Sequence, residues 1–438
     1  MTTRTKVRYI LLLLLGIAFG CAFNYAYKYA FILSAYNSKT VCSCHFVSGR
    51  ELENIKEEEF KVVPYLNVNV DETLKTVTTK LFGFIETKAI YRKGLGCTLV
   101  NEISEEEIRK QPTISTNDSL VENITTEEKG IQQALKQVVD DTFVEKNPER
   151  LLQTRAVVVL QNGKIISEKY AKNITQNTPL IGWSMTKSVT NAMIGMMVKD
   201  GKLDIFKPAP IAEWQKDERK NITIDHLLRM SSGLDFDEIY TKTSDATTML
   251  FRAKGAGAFA ILSKAKSVPN EIWSYSSGTT NILQEMMRRQ FSSHADYLNF
   301  PRQRLFQKIG MTSAVIEPDA SGTFVGSSFM FATARDWAKF GQLYLQDGVW
   351  NNERILPEGW VKYSSTETAK SNGKYAAHFW LNHTDKDFPQ DAFMALGFEG
   401  QSITVIPSKQ MVVVRLGCTP NDDFDLDSFI KNIVKAVK

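Results

Sequence analysis

Ser184-Met-Thr-Lys187 places an amine three residues after a hydroxyl, at the start of a segment from Met185 to Lys199. In that segment Val189, Ala192, Met193, Met196 and Met197 recur as a buried helical stripe. Residues three apart on a helix share a face, so the Lys187 amine can reach the Ser184 hydroxyl. A free serine hydroxyl is a weak nucleophile at neutral pH and needs an adjacent base to attack a carbonyl. The helix N-terminus adds unpaired N–H groups and positive potential, which favour the oxyanion of a tetrahedral intermediate. The chemistry implied is acyl transfer through a serine ester.

The spacing alone does not single out this pair. Ser263-Lys-Ala-Lys266, Ser371-Asn-Gly-Lys374 and Ser428-Phe-Ile-Lys431 satisfy the same pattern, and its plainer reading is an N-cap serine followed by a solvated lysine. The first lies in a basic stretch, the second in an Asn-Gly turn and the third inside a C-terminal helix. Only Ser184 combines a preceding apolar residue, Trp183, with a buried helix that begins immediately after it. A Ser-His-Asp triad is the competing chemistry. The five histidines are scattered, and Gly182-Trp-Ser-Met-Thr186 lacks the last glycine of a nucleophile elbow. His226 reads as a helix-surface or satisfied core residue.

The elements that must hold this pair follow from periodicity. Ile131 to Val144 repeats its apolar residues at helical intervals. Ala156–Leu160 and Lys164–Tyr170 flank Asn162-Gly163, a strong hairpin signal. Ser402–Ile406 and Met411–Arg415 form a second hairpin around Pro407–Gln410, and Asp425 to Lys438 reads as a closing helix. The centre, about 185 to 345, is mostly helical, with Thr333-Ala-Arg-Asp336 as a capping box. Strands and helices at both ends of a helical middle predict an α+β fold: an antiparallel sheet flanked by N- and C-terminal helices, with an inserted all-helical subdomain.

Four segments carry a resemblance. Trp183-Ser-Met-Thr-Lys-Ser-Val189, His226-Leu-Leu-Arg-Met-Ser-Ser-Gly-Leu234, Tyr275-Ser-Ser-Gly-Thr-Thr-Asn281 and Gly397-Phe-Glu-Gly-Gln401 occur in this order. Together they resemble the serine β-lactamase-related, penicillin-binding-protein-like superfamily, and most of all its branch of esterases and 6-aminohexanoate-dimer hydrolases. The resemblance covers about 130 to 438 and implies the β-lactamase/transpeptidase-like fold, with the site between sheet and helical subdomain. It implies Tyr275 as the second-motif tyrosine, relaying a proton to the leaving group with Lys187. Tyr65-Leu-Asn67 and Tyr297-Leu-Asn299 match a strict Y-x-N better, but Tyr275 sits in a Ser/Gly loop from which a side chain can enter a cleft.

The third motif, usually Lys-Thr-Gly or His-x-Gly, corresponds to Phe398-Glu399-Gly400. The cation that would hold a substrate carboxylate is missing, which disfavours β-lactams and D-Ala-D-Ala peptides. Gly400 is expected to let substrate approach the strand, and the Gln401 and Ser184 backbone N–H groups to form the oxyanion hole. Ser277, replacing the motif asparagine, is expected to hydrogen-bond substrate. Glu399 is either a polar site residue or a solvated charge. Tyr170, Trp183 and the aromatics around Phe379-Trp380 either line an apolar cleft or belong to the core. The expected activity is hydrolysis of a small-molecule ester or amide. The alternatives are a binding or assembly protein that keeps the fold without turnover, and a true β-lactamase.

The remaining features concern location. Arg4, Lys6 and Arg8 precede a charge-free run from Tyr9 to Tyr27, and a second apolar stretch follows Lys28 up to Tyr36. The run approaches the roughly 20 residues that span a bilayer and exceeds the roughly 7–15 of a signal-peptide core. Residues 1–36 therefore read as a signal anchor or a cleaved signal peptide, 37–127 as a strand-containing extension and linker, and 128–438 as the catalytic unit. Lys61 to Val70 reads as strand, and Ser104 to Glu128 as a polar surface linker. Positive charge ahead of the span places all that follows in the lumen or outside the cell.

Five sequons, at Asn117, Asn123, Asn173, Asn221 and Asn382, lie on that side. Cys42, Cys44, Cys97 and Cys418 allow one or two disulfides in an oxidising compartment, or are free buried thiols. Cys42-Ser-Cys44-His45 has no second ligand pair at zinc spacing, so no metal site is expected, and the chemistry calls for no cofactor. The 53 basic and 49 acidic residues are interspersed, without the basic face that nucleic acid requires.

Overall fold

The computed structural model describes residues 3–59, 65–114, 124–125, 133–420 and 423–437. Asn117 and Asn123 lie outside them. The first element is α1 (Thr3–Phe46), one helix whose two halves have different surroundings. Its large apolar side chains from Val7 to Phe23 are exposed, whereas Ile32, Ala35, Val41, Cys42 and Cys44 are buried. By length and composition α1 is able to cross a membrane. The boundary read at residue 36 falls inside this helix. Polar residues beyond it extend the helix because the protein supplies their partners: Ser38 Oγ lies 3.2 Å from Thr87 Oγ1, and Lys39 Nζ donates to Cys97 O at 2.8 Å.

After α2 (Leu52–Glu59), strands β1 (Leu66–Asp71), β2 (Thr76–Leu81), β3 (Ile85–Arg92) and β4 (Gly96–Leu99) form a four-stranded antiparallel meander. The second half of α1 packs on β2, β3 and β4, and a disulfide joins Cys42 to Cys97. Of the expected strand from Lys61, only the part from Leu66 is strand, and residues 60–64 lie outside the described set. The polar stretch from Ser104 opens with a short helix, Glu105–Arg109. Ser104 caps it by accepting from Glu107 N, and Glu107 reciprocates, a capping box that composition alone had concealed.

The larger unit runs through α3 (Gln133–Asp141), β5 (Thr154–Gln161), β6 (Lys164–Tyr170) and β7 (Leu180–Ile181) into α4 (Thr186–Lys199). The helical stretch that follows includes α5 (Asp245–Phe251) and α6 (Ser277–Arg288). Then come β8 (Val315–Ile316), β9 (Met330–Ala332), α7 (Ala334–Leu345), β10 (Phe393–Gly397), β11 (Gln401–Ile406), β12 (Met411–Gly417) and α8 (Leu426–Ala436). The main sheet has the order β10-β11-β12-β5-β6, all antiparallel, with Val413 opposite Val159, so the two ends of the unit meet at its centre. Asn162 and Gly163 take φ of +50° and +76° in the β5–β6 turn, the type I′ geometry that the strand twist favours. This is the expected α+β architecture.

Alternation along the strands sorts the core into two layers. Val157, Val159 and Val413 pack with Leu135 of α3 and Phe429 and Ile433 of α8. Val158, Leu160, Val412 and Val414 join the larger core with Trp337 and Phe340 of α7. Burying a side chain such as Phe340 contributes roughly 1.5–3 kcal/mol. At Gly341 the helix lies so close to the sheet that a Cβ would stand 2.5 Å from Val412 Cγ1 and 2.8 Å from Ile403 Cγ2.

One carboxylate ties the amino-terminal unit to the larger unit. Glu317, just after β8, is fully buried and forms an ion pair with Lys39 of α1. It also accepts from Ser43 Oγ at 2.8 Å and from Cys97 N at 2.6 Å. A buried pair of this kind is costly to break, because the remaining charge is left without a partner. Of the described sequons, Asn173 and Asn221 are exposed, and Asn382 is half-buried with its amide donating to Asp427 Oδ2 at 2.9 Å.

Gly341→Ala is expected to destabilise the protein by about 1–3 kcal/mol through overpacking, read as a lower denaturant midpoint with an unchanged slope.

Candidate active site

α4 follows β7, which pairs with β9 in a small three-stranded sheet with β8, and a tight turn at Trp183–Met185 precedes it. The turn is pressed against the β10–β11 hairpin. A Cβ on Gly397 would lie 2.2 Å from Gly182 O, so only glycine permits this approach. Trp183 has φ of +46°, a left-handed conformation that is uncommon for a bulky residue and typical of strained functional turns. Asn191 holds α4 from behind: its Oδ1 accepts from Tyr344 Oη, Trp360 Nε1 and Ser364 Oγ at 2.6, 2.9 and 3.1 Å, and its amide donates to Ala377 O at 2.9 Å.

Lys187 is buried, 1% exposed, and its Nζ donates to Ser184 Oγ at 2.9 Å, Ser277 Oγ at 3.0 Å and Ser327 O at 3.0 Å. Burial pushes the amine down to about 8, and the Glu238 carboxylate opposes this. Ser184 itself remains partly accessible. The lysines of the other serine-lysine pairs turn elsewhere: Lys266 pairs with Asp235 and Lys431 with Asp385, and Lys374 is exposed.

Tyr275 lies beside this pair. The Lys187 Nζ is 4.8 Å from its ring centroid, and burial raises the phenol well above its usual range, with the neighbouring Ser184 opposing the shift. Tyr375 and Trp380 pack on the ring at 5.8 and 5.2 Å between centroids. Its rivals point away. Tyr65 is exposed, and the buried Tyr297 donates to Gln284 Oε1 and accepts from Phe324 N.

Ser277 is hydrogen-bonded within the protein. Besides accepting from Lys187, its Oγ donates to Glu238 Oε1 at 2.5 Å and its N–H donates to Glu238 Oε2 at 2.7 Å. The Tyr240 hydroxyl lies 2.9 Å from the same Oγ and donates to Glu238 Oε1 at 2.8 Å. Glu238 and Tyr240 come from an irregular loop, and neither periodicity nor motif marked them.

The third motif is braced from within the protein at two positions. Gly400, at φ of +77°, is required by an arginine: a Cβ there would meet Arg415 Nη1 at 2.4 Å. Buried Arg415 donates to the carbonyls of Glu399 and Gly400 at 3.0 and 2.9 Å, bracing the turn from behind. The Gln401 side chain pairs with the Gly417 backbone at 2.7 and 2.9 Å, which fixes the start of β11 beside the serine turn. Glu399 accepts from Trp183 Nε1 at 3.1 Å, and burial together with the nearby Glu59 pushes it up to about 7.

Tyr170 stands apart from the cleft. It ends the edge strand β6, and its hydroxyl donates to Glu168, which Arg335 holds. Phe379 is core, packed on Tyr344 and Phe393. His226 spends its Nδ1 on the N–H of Thr223, which caps its own helix. Buried His378, pushed down to about 3 by burial, bonds Thr280 and Leu228 O.

A cavity of about 330 Å³ opens beside Ser184. Trp183, Leu250, Phe251 and Phe398 form part of its wall, and Tyr29, Ile32, Leu33 and Tyr36 of α1 form another. Among the described residues no charged side chain lines it. The sequence had assigned these α1 residues to an anchor alone.

An antiparallel sheet closed by both ends of one unit, with the serine helix between it and a helical insertion, is the architecture of the β-lactamase-like serine hydrolases. Residues 139–431 match the Beta-lactamase family, and the chain belongs to that family. It is similar to the 6-aminohexanoate-dimer hydrolase of Paenarthrobacter ureafaciens, with 22% identity over 298 residues, covering 62% of this chain and 74% of the relative. A solved Bacillus anthracis structure, a candidate 6-aminohexanoate-dimer hydrolase, superposes with a TM-score of 0.61 at 21% identity, covering 74% of this chain and 89% of the other. EstCE1, a hydrolase with promiscuous acyltransferase activity, superposes with a TM-score of 0.55 at 15% identity, covering 70% and 99%. Structural likeness at these identities speaks for the fold, and together with the family match it makes the chain a serine hydrolase.

The raised position of Glu399 has a readable consequence. Trp183 emission is expected to change with a midpoint near pH 7 as the carboxyl ionises beside the indole, and Glu399→Gln should remove that transition in a difference titration.

Proposed function

We propose that Ser184 is the nucleophile of an esterase or amidase acting through an acyl-enzyme, with Lys187 as its base. The observation that carries this reading is the buried amine 2.9 Å from Ser184 Oγ, whose proton affinity burial lowers to about 8. Neutral Lys187 takes the hydroxyl proton as Oγ bonds the carbonyl carbon, and the backbone N–H groups of Ser184 and Gln401 receive the oxyanion. The proton passes through Lys187 and Tyr275 to the leaving alcohol or amine, and water then returns the serine as the acid is released. Ser277 and Glu238 position Lys187 and do not touch the substrate. The absence of charged groups among the described lining residues suits a neutral ester or amide better than a carboxylate-bearing antibiotic.

We further assign α1 as a retained signal anchor, with the catalytic unit in the lumen or outside the cell. Arg4, Lys6 and Arg8 precede the exposed apolar half, in keeping with the positive-inside tendency. The Cys42–Cys97 disulfide suits an oxidising compartment, and exposed Asn173 and Asn221 are available for glycans.

Ser184→Ala should abolish labelling by a fluorophosphonate, identified by peptide mass; retained labelling would refute the assignment. Lys187→Met should lower kcat/KM on an activated ester by about 10²–10⁴-fold while circular dichroism and melting stay close to wild type. The base must be neutral to act, and burial lowers its proton affinity. kcat/KM should therefore rise about tenfold per pH unit below pH 8 and level above it. A profile flat from pH 6 to 9 would exclude Lys187 as the base.

A further inference from the structure

Taken as a wall, α1 changes what the cavity can accept. Tyr29, Ile32, Leu33 and Tyr36 all face the cavity, so its long side follows one face of this helix. At the inner end the Tyr36 ring lies parallel to Trp183, 6.4 Å between centroids and 1° between planes, and Trp183 adjoins Ser184. At the outer end Tyr29 is 45% exposed and lies two residues beyond Tyr27, the last residue of the charge-free run. At 1.5 Å per residue, the nine residues from Tyr27 to Tyr36 cover about 14 Å. The reactive serine therefore sits within a few helical turns of the apolar span, along the face of α1 that carries Tyr29, Ile32, Leu33 and Tyr36, with Lys28 marking the end of the span.

The surroundings of the mouth agree. Tyr25, Tyr27 and Tyr29 are exposed in succession, the arrangement of an aromatic belt at a membrane interface. Phe398 and Tyr240, both lining the cavity, are 51% and 49% exposed, and Ile239, next to Tyr240 in the chain, is 47% exposed. Large apolar groups grouped at a cavity rim mark a surface that meets something apolar. The wall is also held in place. Lys39 pairs with buried Glu317 and Cys42 is bonded to Cys97 one to two turns beyond Tyr36, so the cavity keeps its position relative to the span.

We propose that this cavity is an acyl-chain site that takes the long apolar acyl group of a neutral ester lying in the same membrane that α1 spans. The proposal rests on the reading of Ser184 as nucleophile and of α1 as a retained anchor. The chain enters from the bilayer along Tyr29, Ile32 and Leu33, and brings its carbonyl to Ser184. Ser184 Oγ bonds the acyl carbon, the alcohol leaves with the proton, and water releases the free fatty acid.

The test uses the full-length protein in phosphatidylcholine vesicles, with rates expressed per site titrated by a small fluorophosphonate. Across 4-nitrophenyl esters from acetate to dodecanoate, kcat/KM should rise roughly threefold per added methylene while the chain fits. 4-Methylumbelliferyl palmitate placed in the enzyme's own vesicles should be cleaved at least tenfold faster than the same ester in separate vesicles. Leu33→Trp, or Leu250→Trp on the opposite wall, should lower the dodecanoate-to-acetate ratio at least tenfold. Titration of Ser184 together with rates independent of chain length, equal rates from own and separate vesicles, or an unchanged ratio in both variants would overturn the proposal and leave the hydrolase reading intact. Failure of Ser184 to titrate, with no ester cleaved, would overturn both.

Discussion

The site depends on keeping one amine dry. An ammonium is strongly solvated, so burying Lys187 is tolerable only when its hydrogens have acceptors and its charge is easily lost. The three acceptors come from separate places: Ser184 from the turn before α4, Ser277 from the start of α6, and the carbonyl of Ser327 from the loop before β9. The fold has to bring these together around a single atom. That explains the tight supports behind them: Asn191 tying α4 to three other segments, Glu238 clamping Ser277 by both N–H and hydroxyl, and Gly397 admitting the serine turn against the sheet.

The same constraint governs charge. In place of a cation facing the substrate, the third-motif turn has one behind it: Arg415 holds the carbonyls of Glu399 and Gly400 from the rear. Its charge is spent on backbone dipoles, and of this turn Phe398 faces the cavity while Glu399 accepts from the Trp183 indole. An apolar front beside a low-affinity amine is mutually consistent, since a nearby cation would lower the amine further and a nearby free carboxylate would raise it.

The amino-terminal unit belongs to this arrangement. The second half of α1 is a packed element, held by a disulfide to β4 and by the buried Lys39–Glu317 pair to the catalytic unit. Its outward face completes the cavity beside the serine. One helix thus combines an exposed apolar half with a half that is part of the hydrolase.

Much of the fold was legible in the chain itself because it rests on local signals. The Asn162-Gly163 turn, the Thr333 cap, the alternating valines of β5 and β12, and the helical stripe after Ser184 each arise from a backbone or packing preference within a few residues. These interactions settled the α+β architecture, and the ordered motifs brought Ser184, Lys187 and Tyr275 into view. What the tertiary structure decided involves residues distant in sequence, which no local period encodes. Glu238 and Tyr240 reach Ser277 from an irregular loop, and Arg415 occupies the space that Gly400 was expected to leave for substrate. Tyr170 faces Glu168 instead of the cleft. The largest difference is α1: an apolar run has the same composition whether it faces lipid, a protein core or a cavity. Only its packing on the sheet and against Trp183 shows that its second half does the latter two.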